Sequence, residues 1–152
     1  MIYVKSILQP HEEIKFIGGL HWIRYWKAGL TALAALVFYI LGFGAGDFQG
    51  WFSVAALLTA AVALYFAAIA WFVNWTTEIA VTTLRVVHKI GFIQRDTQEM
   101  HMDKIESVKV DQTLLGRVLD YGTVSVLGTG HGIENLQYIA RPVTLRNAIV
   151  AR

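Results

Sequence analysis

Charged residues vanish from the middle of this chain. None lies between Lys27 and Asp47, and none between Asp47 and Glu78. A helix across a hydrocarbon core about 30 Å thick takes roughly 20 apolar residues. The first uncharged stretch, AGLTALAALVFYILGFGAG, just meets that length, and the second, FQGWFSVAALLTAAVALYFAAIAWFVNWTT, exceeds it. Only Asp47, Phe48, Gln49 and Gly50 separate them, and two helices joined by so short a turn lie antiparallel. The pattern predicts a transmembrane hairpin over residues 28–75, with helices at about 28–46 and 51–73. A leader, residues 1–27, precedes it, and a soluble domain, residues 76–152, follows.

The flanks carry a different rhythm. In the leader, Ile2, Val4, Ile7 and Leu8 are apolar, and Ile14–Ile17 followed by Gly18-Gly19 predicts a short strand and a turn. After residue 76 the period is two: Ile79, Val81 and Thr83 alternate with Ala80 and Thr82, Met100 and Met102 with Glu99, His101 and Asp103, and Val108 and Val110 with Lys109 and Asp111. Such alternation marks half-buried antiparallel strands. Val86–Ile90 ends at a Gly91 turn, and TLLGRVLDYG interrupts the strands with a short helical turn carrying Leu114, Leu115, Val118 and Leu119. Strands are expected at Thr123–Leu127 and Leu136–Ala140, joined by the loop GTGHGIEN. Pro142 suits the first turn of a final helix, with Leu145, Ile149 and Val150 as its apolar stripe. Gly116 and Gly122 bracket the short helical turn as backbone residues, and Gly122 is expected to stop it with a positive φ.

Composition narrows the reading. Of 152 residues 16% are charged, against about 25% in a typical soluble domain, and the deficit falls in residues 28–75, where Asp47 is the single charge. Residues 76–152 hold nine Lys/Arg and eight Asp/Glu, well mixed, and the whole chain has a formal net charge of +2, which argues against a nucleic-acid partner. With no cysteine, disulfides, thiolate chemistry and cysteine-based zinc sites are excluded. A signal peptide would need a 27-residue front carrying Glu12 and Glu13, which does not fit.

Aromatic and basic residues gather at the predicted membrane boundaries. Trp22, Arg24, Trp26 and Lys27 precede the first helix, Trp51 opens the second, and Trp71 and Trp75 close it. Indole rings prefer the headgroup region, and Lys and Arg snorkel toward phosphate. Lys5, Lys15, Arg24 and Lys27 lie on one flank and Arg85 and Lys89 on the other, while the turn carries only Asp47. The positive-inside rule therefore puts both termini in the cytoplasm and Asp47 on the opposite side. Small residues recur at spacings of four and three: Ala56, Ala60, Ala63, Ala67 and Ala70 in the second helix, and Ala28, Ala32, Ala35, Gly42 and Gly46 in the first, with Tyr39 in the gap. They predict a helix–helix seam.

No catalytic constellation emerges. His11, His21, His88, His101 and His131 show no zinc-motif spacing. Gly128-Thr129-Gly130-His131-Gly132 lacks the lysine and following helix of a phosphate loop and reads as a hairpin tip. Asp103 and Glu106 read as solvated or paired with Lys104 and Lys109, and no Gly-x-Ser-x-Gly elbow occurs. No metal, cofactor or enzymatic activity is expected.

Several stretches together resemble the bacterial membrane-flanked PH-like domain family. They are Thr83-Leu84-Arg85, Met102-Asp103-Lys104-Ile105-Glu106-Ser107-Val108, Leu114-Leu115-Gly116-Arg117, Tyr121-Gly122-Thr123-Val124 and Gly128-Thr129-Gly130, with Gln9-Pro10-His11-Glu12-Glu13 and His21-Trp22 at the front. The resemblance implies a mainly-β PH-like barrel or sandwich closed by a C-terminal helix and anchored at a bacterial cytoplasmic membrane by paired helices. Relatives often carry two adjacent basic residues where this chain has Leu84-Arg85. Phosphates demand several cationic donors, so this departure argues against phosphoinositide-type binding. The expected function is a noncatalytic binding or scaffolding module that meets the lipid bilayer and a protein partner or a second copy of itself. The alternative is an accessory subunit of a membrane transport or export complex.

Overall fold

In the computed structural model, which describes residues 7–9, 11–91, 96–129 and 132–151, the period-two segments form two antiparallel sheets. The first has the order β1-β2-β3-β4, built from β1 (Ile14–Gly18), β2 (Glu78–Thr82), β3 (Arg85–Ile90) and β4 (Asp96–His101). The second has the order β5-β6-β7, from β5 (Ile105–Asp111), β6 (Tyr121–Gly128) and β7 (Ile133–Ala140). Two long helices, α1 (Trp26–Gly42) and α2 (Gln49–Thr76), occupy the uncharged stretch, and two shorter ones follow: α3 (Leu114–Val118) and α4 (Pro142–Val150). The chain divides into two units. One is residues 1–21 with 73–152, and the other is residues 22–72.

The sheet unit is held by its inward positions. Ile79, Val81, Val86 and Met100 of the first sheet, Val124, Val126, Ile133, Leu136 and Ile139 of the second, and Leu145 and Ile149 of α4 form one buried cluster. Burying each such side chain contributes about 1.5–3 kcal/mol. Pro142 opens α4 and is itself buried, and the helix packs on β1, β2, β5 and β6. The face it buries is Pro142, Leu145 and Ile149, a spacing of three and four, whereas Val150, expected in that stripe, is exposed one position past it.

The leader belongs to this unit. β1 pairs antiparallel with β2, Gly18 opposite Ile79 and Ile17 opposite Ala80. The chain then crosses to the other sheet. Ala140 donates its N–H to the Gly19 carbonyl at 3.0 Å, Leu20 bridges Ile139, and the His21 N–H reaches the Tyr138 carbonyl at 2.6 Å. One segment thus pairs with both sheets. The reading that set residues 1–27 apart from residues 76–152 drew a boundary where the hydrogen bonding is continuous. The whole apolar hairpin is an insertion between two neighbouring strands.

Two further expectations change. The loop after β6 is shorter than GTGHGIEN, because Ile133 is buried opposite Val126 and begins β7. Gly130 and His131, like Ile2, Val4 and Pro10 of the leader, lie outside the described residues. Gly122 does not stop α3 with a positive φ. Asp120 does so, at φ 56°, while Gly122 sits inside β6. What requires glycine at 122 is space: a Cβ there would lie 2.8 Å from the Asp111 carbonyl oxygen and 2.8 Å from Gln112 Cγ. Gly116 is crowded in the same way, its Cβ position 2.7 Å from the Tyr121 carbonyl.

Candidate functional site

Arg85 stands at the start of β3, where relatives were expected to offer cations to a ligand. Here its donors are already committed. Nε reaches Glu12 Oε1 at 3.1 Å, Nη2 reaches Glu12 Oε2 at 3.1 Å and the Ile7 carbonyl at 2.7 Å, and Nη1 reaches Glu99 Oε2 at 2.8 Å. Glu12 also accepts from Thr82 Oγ1 at 2.6 Å and from the Gln9 N–H at 2.9 Å, and its side chain is fully buried, with that of Arg85 11% exposed. Backbone geometry places both partners. Thr82 Oγ1 accepts from the Arg85 N–H and closes the β2–β3 turn, while Glu13 and Thr83 tie the leader to it through the Thr83 N–H and the Glu13 carbonyl, 3.0 Å apart.

Burial alone pushes the Glu12 carboxyl up. The hydrogen bonds from Thr82, Gln9 and Arg85, with the Arg85 charge, outweigh it and hold the group below the ordinary glutamate value. Burial likewise opposes the charge on Arg85, and the bonds and charges of Glu12 and Glu99 overcome it and raise its pKa. The result is a bidentate, hydrogen-bonded clasp between leader and sheet. Sequence reasoning missed it, since Glu12 and Arg85 are 73 positions apart.

At the opposite end of the strands the chain departs for the hairpin. The register brings the end of β1, the start of β2, the start of β6 and the end of β7 together there. His21 stacks on Tyr121, centroids 5.4 Å apart, and Tyr121 on Tyr138 at 6.4 Å. Tyr138 has φ 59° and Arg141 φ 53°, conformations costly for residues with side chains. Tyr138 sits at a bulge in β7, where the pairing with β6 slips between Gly122 and Val124.

Within the hairpin unit, the buried positions of α1 are Ala28, Ala35 and Gly42, with Thr31 and Phe38 half-buried between them. On α2, Ala56, Ala63 and Ala70 are buried, and Phe52, Thr59 and Phe66 alternate with them. The seam therefore keeps the rhythm of four and three but alternates small with larger residues. Ala60 is exposed, Ala67 half-buried, and Phe38 rather than Tyr39 lies inward. At the turn, Gly42 lets the helices close, since a Cβ there would stand 3.1 Å from Phe52 Cβ. Ala63→Leu is expected to cost about 1–3 kcal/mol of hairpin stability by overpacking, and Ala61→Leu, at an exposed position, close to nothing. Thermal unfolding of both variants in mild detergent checks this, and equal tolerance would contradict the seam. The residues expected at the membrane boundaries are mostly outward: Trp22, Trp26, Trp51, Trp71 and Trp75 are exposed, Arg24 is half-buried, and Lys27 is exposed with Nζ 5.8 Å over the Trp26 ring.

Among the described residues no group of three or more histidine, aspartate or glutamate side chains is placed to hold a metal ion. A family model described as a bacterial PH domain matches residues 22–149, a span taking in both long helices and β2 through β7. No curated protein and no solved structure matches the chain.

Proposed function

The chain belongs to the bacterial PH domain family, and from that premise we propose that it is a noncatalytic binding and scaffolding module held at the cytoplasmic face of a bacterial inner membrane by its apolar hairpin. The observation that carries this reading is the insertion of the hairpin between β1 and β2. Two helical spans long and apolar enough to cross a membrane, Trp22–Gly42 and Gly46–Thr76, leave from one strand and return into its neighbour. A folded domain stays on one side of a bilayer, so both crossings start and finish there. The excess of Lys and Arg outside the Asp47 turn supports the cytoplasm as that side.

PH domains are generally noncatalytic binding modules, and their surfaces take proteins or lipids. The commitment of Arg85 to Glu12, Glu99 and Ile7 supports a protein or bilayer surface as the ligand in preference to a phosphoinositide headgroup. The alternative, an accessory subunit of a membrane transport or export complex, draws on the shallow grooves flanking the seam, lined by Ala35, Ala60 and Ala63 among others.

Single cysteines in this cysteine-free chain test the topology. Gln49→Cys is expected to react with a membrane-impermeant maleimide in intact cells, and Gln98→Cys only after lysis. The reverse pattern would invert the proposed orientation, and reaction of both in intact cells would remove the cytoplasmic assignment.

A further inference from the structure

Helix α3 presents its apolar side chains to the outside. Leu114 and Val118 are 82% exposed and Leu115 is 67% exposed. What holds the helix is polar and backbone contact instead. Thr113 Oγ1 accepts from the Gly116 N–H at 3.0 Å, the Gln112 amide donates to the carbonyls of Gly116 and Tyr121 at 3.2 and 3.1 Å, and Gly116 packs against the Tyr121 carbonyl. Single exposed apolar residues need no explanation, but three large ones within five positions mark a contact surface.

The register of the sheets says at which end of the domain that surface lies. Gln112 follows β5 and Tyr121 opens β6, so α3 caps the end of the second sheet at which Tyr121 pairs with Ala140 and stacks on His21. His21 is the residue at which the chain leaves the domain for Trp22 and the first apolar helix. Glu78, which receives the chain back, is next to Ile79, the partner of Gly18 at the same end. The exposed tip and both connections to the hairpin therefore share one end of the domain, and Arg117, exposed on α3, adds a cation suited to lipid phosphate.

We propose that α3 is a membrane-dipping wedge: Leu114, Leu115 and Val118 enter the boundary between headgroups and acyl chains, with Arg117 at the phosphates. The inference rests on the membrane-anchored reading above. An apolar face of this kind lies about 5–10 Å into that boundary.

The test uses the full chain in nanodiscs of phosphatidylethanolamine and phosphatidylglycerol, with nitroxide labels on single cysteines at Leu115, Val118, Leu58 or Asp103. Collision with oxygen is compared with collision with a water-soluble nickel chelate. Leu58, exposed on α2, reports on anchoring, and Asp103, exposed before β5, reports on the aqueous end. The expected oxygen-to-nickel ratio is several-fold higher at Leu115 and Val118 than at Asp103, and highest at Leu58. A lipid-like ratio at Leu58 with an Asp103-like ratio at Leu115 and Val118 overturns the wedge and leaves the anchor standing. Labels at Leu115 and Val118 shielded from both reagents place a protein, a second copy or another partner, over α3 and overturn it as well. An aqueous ratio at Leu58 removes the anchor and the wedge together.

Discussion

Arg85→Met is expected to destabilise the sheet unit by about 3 kcal/mol, because it leaves the Glu12 carboxylate buried without its partner. The lower end of the range for such losses applies, since the cluster lies just under the surface: Glu99 is 37% exposed and Arg85 11%. Removing both charges in Glu12→Gln with Arg85→Met should recover part of the loss, as an uncompensated charge costs more than a missing pair. The pH dependence has a definite sign. The Glu12 pKa is depressed in the folded state, so its contribution is complete above the unfolded glutamate value of about 4.3. It is lost as pH falls through the lower folded value. Glu12→Gln should flatten the stability profile in that acidic window. Chemical denaturation of the full chain in detergent, followed by circular dichroism, reads all three variants. An Arg85→Met stability within about 0.5 kcal/mol of the parent, the range of ordinary surface changes, would show that the clasp carries nothing.

Gly122→Ala is expected to cost about 1–3 kcal/mol, and Gly122→Val more, through overpacking. The new Cβ would meet the Asp111 carbonyl and Gln112 at 2.8 Å, and Pro142 Cγ at 3.2 Å, so β6 or the start of α4 must shift. Asp120→Gly is the companion measurement. Asp120 carries the positive φ, and glycine adopts it freely, so that variant should be neutral or slightly stabilising. If Gly122→Ala is tolerated while Asp120→Gly destabilises, steric closeness at 122 is the wrong account.

Much of this architecture could be read from local pattern. The two long helices follow from an absence of charge, β5 from the alternation of Val108 and Val110 with Lys109 and Asp111, and α4 from Pro142 with Leu145 and Ile149. Each signal lies within one element. What stayed hidden depends on partners distant in the chain. In the sequence Glu12 stands only as one residue of Gln9-Pro10-His11-Glu12-Glu13, and only folding sets it beside Arg85 and Thr82. A trace of that burial is present in β2, where Ile79, Ala80, Val81 and Thr82 are all buried, and Glu78-Ile79-Ala80-Val81-Thr82 has no charged outer face beyond its first residue. A strand with two covered faces calls for a cover, and at Thr82 Glu12 supplies it. The role of Gly122 was misassigned because spacing marks where a turn ends without revealing which carbonyl crosses it. Along the hairpin the three-and-four rhythm was legible. Which alanines face inward was not, because Thr59 and Phe66 fill seam positions that a count of small residues passes over.

The insertion of the hairpin between β1 and β2 sets an order of events during synthesis. β1 leaves the ribosome first and has no partner, since Glu78 of β2 comes roughly 60 residues later. At about 5–20 residues per second, the first strand waits some 3–12 s while both apolar helices are made. The domain cannot close ahead of the hairpin, because β2, β3 and β4 of its first sheet are not made until the second helix has been completed. Synthesis of both apolar helices precedes closure of the domain. A fragment begun at Thr77 would be born with β2 as an uncovered edge strand and without the carboxylate that Arg85 requires.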